Sequence, residues 1–220
     1  TSGNSNVAVG KDALGGDTLG GGSVAIGKDA LKVQNFTTAT TNYNVAVGLE
    51  AGAAVTTGTN NTLIGGLAGD ALTTGSQNVA LGYQSLSTDD LGSHNVAIGA
   101  NALSDMNFAT ATDSYNTAVG DQAGLRVTTG TQNTLIGGLT GDALTTGALN
   151  VAVGYGALTS DDLGSKSVAV GHSTLANQNY ATATDSFNTA VGHSAGSAVT
   201  TGTNNTFIGG LSGDAVTTGT

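Results

Sequence analysis

The sequence predicts an all-β parallel solenoid, and three observations carry that prediction. A short phrase recurs at near-constant spacing, the phrase alternates like a strand, and the composition is too poor in large side chains for a wide core. The phrase is NVAIG at residues 95–99, with its Asn taken as position 1. It begins at residues 6, 23, 44, 61, 78, 95, 116, 133, 150, 167, 188 and 205, giving twelve units spaced 17, 21, 17 and 17 residues in turn. A longer period of 72 residues therefore runs over 6–77, 78–149 and 150–220. Self-similarity of this kind marks an array in which each unit buries its apolar face only against its neighbours. No linker or composition shift interrupts it, so one continuous solenoid is expected over 1–220.

Within a unit, position 1 is Asn in ten cases and Ser in two, Ser23 and Ser167. Position 2 is Val or Thr, position 4 is Val, Ile or Leu, and position 5 is always Gly. Position 8 is small. Position 9 is Leu in the first two units of each super-repeat and Gly in the last two. A helix is disfavoured, because each interior Gly costs about 1 kcal/mol relative to Ala. Short β-branched strands closed by Gly turns fit better. A 17-residue coil suits two short strands and two turns, and at roughly 4.8 Å per coil twelve coils span about 58 Å. Position 1 Asn is expected to stack as a hydrogen-bonded ladder satisfying turn backbone. Position 5 Gly is expected where φ is positive or space is short.

Alternation assigns the faces. Positions 2 and 4 point one way and position 3 the other. The larger side chains at position 4 are expected to line the coil interior: Val9, Ile26, Val47, Ile64, Leu81, Ile98, Val119, Ile136, Val153, Val170, Val191 and Ile208. Position 3 is then the outer face: Ala8, Ala25, Ala46, Leu63, Ala80, Ala97, Ala118, Leu135, Ala152, Ala169, Ala190 and Phe207. These residues are never charged, and a strand apolar on both faces is usually buried on both. Position 3 is therefore expected to pack against other chains, with Leu63, Leu135 and Phe207 as periodic thicker plugs.

The rest of the composition excludes several classes. A net charge of −10 opposes nucleic-acid binding and docking on anionic lipid. No apolar run approaches membrane-spanning length. The chain has no Cys, so disulfide and thiolate chemistry are absent. It lacks an initiator Met, and its first and last residues share the phase of the 72-residue period. An excerpt of a longer array, a mature product, or head-to-tail stacking through uncapped ends is expected.

The phrases NVAIG and SVAIG, with Gly at position 5 and a small residue at position 8, resemble the head repeats of YadA-like trimeric autotransporter adhesins. The 17-residue form, with NTLIG, GYQSL at 82–86 and TTG, is similar to shaft repeats of phage tail fibres and bacterial surface fibres. The resemblance covers the whole chain. It implies a left-handed parallel β-roll that is homotrimeric, extracellular (at a cell surface or on a virion) and non-enzymatic.

Candidate sites are few. A phosphate-cradling Gly loop needs a following helix, which no pattern supplies. The 21-residue units carry NFTTATTNYN at 35–44, NFATATDSYN at 107–116 and NYATATDSFN at 179–188. Each holds two aromatics seven apart: Phe36 and Tyr43, Phe108 and Tyr115, Tyr180 and Phe187. They serve either as staples of a bulge or subunit interface, or as a glycan- or surface-binding patch. Asp89, Asp90, Asp161 and Asp162, and the GD acids Asp70, Asp142 and Asp214, read as solvated turns, since a Ca²⁺ site needs several converging oxygens. His172 and His193 share position 6 of adjacent coils and could stack, while His94 sits alone at a turn. Outward Thr rows offer a minor reading as an ice-binding solenoid. No catalytic, cofactor or metal residue is assigned. The expected function is a structural fibre or shaft segment that gives length, rigidity and loop display. A glycan-binding module is the alternative.

Overall fold

The computed structural model describes residues 3–219, so Thr1, Ser2 and Thr220, on which the expectation of uncapped ends partly rests, lie outside it. The described residues are all-β, a parallel solenoid with one short strand in every coil. The chain divides into two compact units, Thr1–Ser114 and Tyr115–Thr220. The division falls at the close of a 21-residue coil, where composition does not change, and so the sequence carries no mark of it.

The first unit holds β1 (Val7–Val9), β2 (Gly20–Gly21), β3 (Val24–Ile26), β4 (Thr40–Thr41), β5 (Val45–Val47), β6 (Thr62–Ile64), β7 (Val79–Leu81), β8 (Gly92–Ser93), β9 (Val96–Ile98) and β10 (Thr112–Asp113). The second holds β11 (Thr117–Val119), β12 (Thr134–Ile136), β13 (Val151–Val153), β14 (Gly164–Ser165), β15 (Val168–Val170), β16 (Thr184–Asp185), β17 (Thr189–Val191) and β18 (Thr206–Ile208). In the first unit β1, β3, β5, β6, β7 and β9 pair in parallel in that order, like position over like position, as in Ala80 beside Ala97. In the second, β11, β12, β13, β15, β17 and β18 do the same. The expected second strand is confined to the coils around each 21-residue loop, where β2 pairs β4, β8 pairs β10 and β14 pairs β16. Elsewhere that side of the coil is bends and irregular backbone.

The face assignment from alternation is reversed. Position 3 is the interior: Ala25, Ala46, Leu63, Ala80, Ala97, Ala118, Leu135, Ala152, Ala169 and Ala190 have no exposure, and Phe207 is buried. Only Ala8, in the first coil, is exposed. Position 4 is outside, from Val9, Ile26, Leu81, Ile136, Val191 and Ile208, which are exposed, to Val47, Ile64, Ile98, Val119, Val153 and Val170, which are half-buried. The parity of the strand is as expected and its sign is not. The interior is so narrow that its opposite wall supplies the bulk. Leu31, Leu86, Leu103, Leu158 and Leu175 at position 9, and Val55, Leu72, Val127, Leu144 and Val199 at position 12, are fully buried. They leave room for a methyl group at position 3.

The size alternation at positions 3 and 9 follows from this. A Cβ on Gly52 or Gly69 would stand 2.7 Å from the Leu63 side chain. A Cβ on Gly141 would stand 2.8 Å from Leu135, and one on Gly196 would stand 2.9 Å from Phe207. Where position 3 grows from Ala to Leu or Phe, position 9 shrinks from Leu to Gly. The three plugs therefore fill the coil interior rather than an inter-chain seam. Close packing of this kind leaves little tolerance for added volume.

The glycine column at position 5 permits the coil spacing. Position 5 adopts φ between +117° and +144° in every coil, a region essentially reserved for Gly. A Cβ on Gly137 would lie 2.7 Å from the Gly154 carbonyl carbon in the next coil. Both reasons expected for this Gly therefore hold. Gly82→Ala, at φ +142° with its Cβ 2.6 Å from Gly99, should cost at least about 2 kcal/mol of unfolding free energy. Urea unfolding measures this against the native chain.

Candidate functional surfaces

Position 1 has its side chain inside, and its amide closes one coil while capturing the next. Asn61 Nδ2 donates to the Gly75 carbonyl at 2.9 Å, in the closing turn of its own coil, and Asn61 Oδ1 accepts the Asn78 N–H at 3.0 Å. The same pair of bonds is made by Asn6, Asn44 and Asn78 in the first unit. Asn116, Asn133, Asn150 and Asn188 repeat it in the second. The expected ladder is present, and it serves the backbone more than other side chains. Such buried amides are satisfied at the cost of a fixed coil length, since the acceptor is always fourteen residues on.

The 21-residue coils lack that acceptor, and their position 1 is adapted to it. One of the inserted residues, Asn42, Ser114 or Ser186, is fully buried and meets position 1 of its own coil. Ser23 Oγ donates to Asn42 Oδ1 at 2.6 Å, Ser114 Oγ donates to Asn95 Oδ1 at 2.8 Å, and Ser167 Oγ pairs with Ser186 Oγ. The two Ser exceptions at position 1 are thus partners of the insertion. Spacing alone did not mark these residues, although both exceptions fall in 21-residue units.

The loop aromatics divide into two classes. Phe36, Phe108 and Tyr180 are buried staples. The Tyr180 hydroxyl donates to the Gly202 carbonyl at 2.7 Å and accepts from Asn188 Nδ2 at 3.2 Å. Burial pushes the Tyr180 phenol up to about 12. Phe36, Phe108 and Tyr180 therefore cannot present a face to a ligand. Tyr43, Tyr115 and Phe187 are 64%, 50% and 51% exposed and occupy the left-handed residue just before position 1. Lys166 Nζ lies 5.1 Å from the Phe187 ring centre and 2.6 Å from Asp185 Oδ2. His94, expected to be alone, has Nδ1 3.1 Å from Asp113 Oδ1.

The outward side carries an apolar field. Positions 2 and 4 of the main strands, position 6 and the residue before position 1 together contain every exposed large apolar side chain among the described residues except Val33 and Leu211. Leu49, Tyr83 and Tyr155 at position 6 extend the field on one side, and Tyr43, Tyr115, Leu149 and Phe187 extend it on the other. In the second unit Tyr155, His172 and His193 stack at position 6, with the two imidazoles 5.1 Å apart and 5° from parallel. Among the described residues no three His, Cys, Asp or Glu side chains group as metal ligands would.

Asp89 and Asp161, expected as solvated turn residues, are fully buried because position 12 faces the interior. Asp90 and Asp162 occupy the next position and are half-buried. Among the GD acids, Asp142 accepts the Thr159 hydroxyl at 2.6 Å.

No family model, curated protein or solved structure matches this chain.

Two predictions follow from the interior. Asn61→Ala leaves the Gly75 carbonyl and the Asn78 N–H unpaired, and should cost roughly 2–4 kcal/mol. Amide exchange at Asn78 should accelerate ahead of its neighbours. Tyr180→Ala should destabilise by about 3 kcal/mol through the cavity it leaves, whereas Tyr180→Phe should lose only about 1 kcal/mol, because Asn188 still serves the Gly202 carbonyl. Denaturant unfolding of both variants checks the ratio.

Proposed function

We propose that the protein is a structural shaft segment whose copies associate side by side through the outward face of their main strands. One observation carries this reading: in-register Val, Ile, Leu and Thr at positions 2 and 4 form an uncharged, partly exposed field across every coil of each unit. Apolar fields of this extent, with polar residues elsewhere, mark interaction surfaces. The exposed aromatics Tyr43, Tyr115 and Phe187 flank the field and belong to its rim. The occupant is a second copy of the same chain, because a face that repeats along the coil axis is matched in period only by another such face. The resemblance to trimeric adhesin heads and tail-fibre shafts supports three copies and an extracellular place at a cell surface or on a virion. The work of the assembly is mechanical: it spans distance and displays the 21-residue loops. It needs no cofactor.

Ile64→Asp and Leu81→Asp place charges in the field without touching the interior. Sedimentation should give a trimer for the native chain and a folded monomer for the double variant, with unchanged β circular dichroism. A native chain that sediments as a monomer at micromolar concentration would discard the reading.

A second reading is favoured by the exposure of Tyr43, Tyr115 and Phe187 alone. Aromatic faces beside Thr41, Asp113 and Asp185 suit sugars, and a displayed loop of a shaft can also bind. Attachment to a glycan array should then fall in Tyr43→Ala, Tyr115→Ala and Phe187→Ala. Equal attachment by all three would remove this reading.

A further inference from the structure

The first coil of each super-repeat carries Asp at position 12: Asp17, Asp89 and Asp161. Asp89 and Asp161 have no exposure. Oδ1 accepts a backbone N–H three residues on, from Gly92 at 3.0 Å and from Gly164 at 2.9 Å. In two of the three, Oδ2 meets position 12 of the following coil, Gln34 or Gln178, and the residue at that position after Asp89 is Met106. Gln34 Nε2 donates to Asp17 Oδ2 at 2.8 Å, and Gln178 Nε2 donates to Asp161 Oδ2 at 2.6 Å. Each Gln is itself held. Its Nε2 also donates to Ser23 or Ser167 Oγ, and its Oε1 accepts from Asn44 or Asn188. At the middle position a thioether replaces the carboxamide, and Asp89 Oδ2 is buried with no hydrogen-bond partner.

Among the described residues no cation offsets the Asp89 and Asp161 carboxyls. The charged neighbour that bears on Asp89 is Asp90, and Asp161 has Asp162 in the same place, with the neutral Tyr180 phenol beside it. A carboxylate buried among apolar side chains without a counter-charge favours its neutral form.

We propose that Asp89 and Asp161 are interior proton-binding sites that tighten the coils in mild acid and loosen them at neutral pH, with the Gln178 amide that donates to Asp161 opposing the effect and no such donor serving Asp89. Burial pushes both carboxyls up to about 6, against an ordinary value of 3.8, and the neighbouring aspartates push the same way. A folded-state value above the unfolded one means that the native chain holds its protons more tightly. Stability from these groups is then greatest below about pH 4 and declines as pH rises towards 6. Above that it is flat. The span corresponds to about a hundredfold in the unfolding equilibrium for each carboxyl.

Side-chain carboxyl NMR titration of the native chain should place two aspartates near pH 6. Urea unfolding should then compare pH 4.5 with pH 7.5 for the native chain, Asp89→Asn and Met106→Gln, so that the other carboxylates cancel between variants. Asp89→Asn should lose about half of the acid gain. Met106→Gln should lower the Asp89 midpoint and raise stability at pH 7.5 while leaving pH 4.5 unchanged. If both aspartates titrate near their ordinary value, or if Met106→Gln leaves the Asp89 midpoint in place, the proposal fails. The titration of the native chain decides the first point even if Asp89→Asn does not fold.

Discussion

The structure depends on one interior amide in each 17-residue coil. An Asn at position 1 must find a carbonyl fourteen residues ahead and an N–H seventeen residues ahead, and both lie on glycine-spaced backbone. That requirement sets coil length, and it places glycine at position 15, whose carbonyl takes the bond. It also decides which way the strand faces, since a side chain that serves interior backbone brings position 3 inside with it. The apolar core is secondary to this. It is a column of methyl groups opposed by leucines, adequate once the polar backbone is satisfied and too thin to specify the fold alone.

The arrangement also explains how a coil of different length is tolerated. Four extra residues move the acceptor out of reach, and the sequence answers with a buried Asn or Ser inside the insertion and with Ser at position 1 in two of three cases. Gln34 and Gln178 donate to the carboxylate of the preceding coil, whereas Met106 takes their place with a thioether and Asp89 Oδ2 is left without a hydrogen-bond partner. Repeats that look equivalent thus differ in polarity inside.

Much of this was legible in the sequence. The period, the parallel solenoid, the Asn ladder and the conformational need for Gly at position 5 all follow from spacing and residue type. The direction of the strand did not. Alternation distinguishes two faces without ranking them, and ranking by size put Ile98 inside and Ala97 outside. The interior wall opposite the strand was invisible to that reasoning. Its leucines sit in left-handed turn positions, such as Leu31 at φ +47°, where large apolar residues are uncommon. For the same reason Asp89 and Asp161 read as surface turns. Of the six loop aromatics, chemistry alone could not tell Tyr180, held by the Gly202 carbonyl, from Tyr43, which faces solvent.

With the faces assigned, the proposed function rests on the outward one. A monomer with this field would expose side chains that soluble chains usually cover, whereas an assembly along the coil axis buries them in register. The absence of native cysteine makes the faces directly testable by single substitution. Ala80 is fully buried and its neighbour Leu81 is 44% exposed. Mild oxidation of Leu81→Cys should link copies covalently, while Ala80→Cys should stay reduced and resist thiol labelling until the chain is unfolded. Covalent linkage through Ala80→Cys, with Leu81→Cys remaining unlinked, would contradict the account.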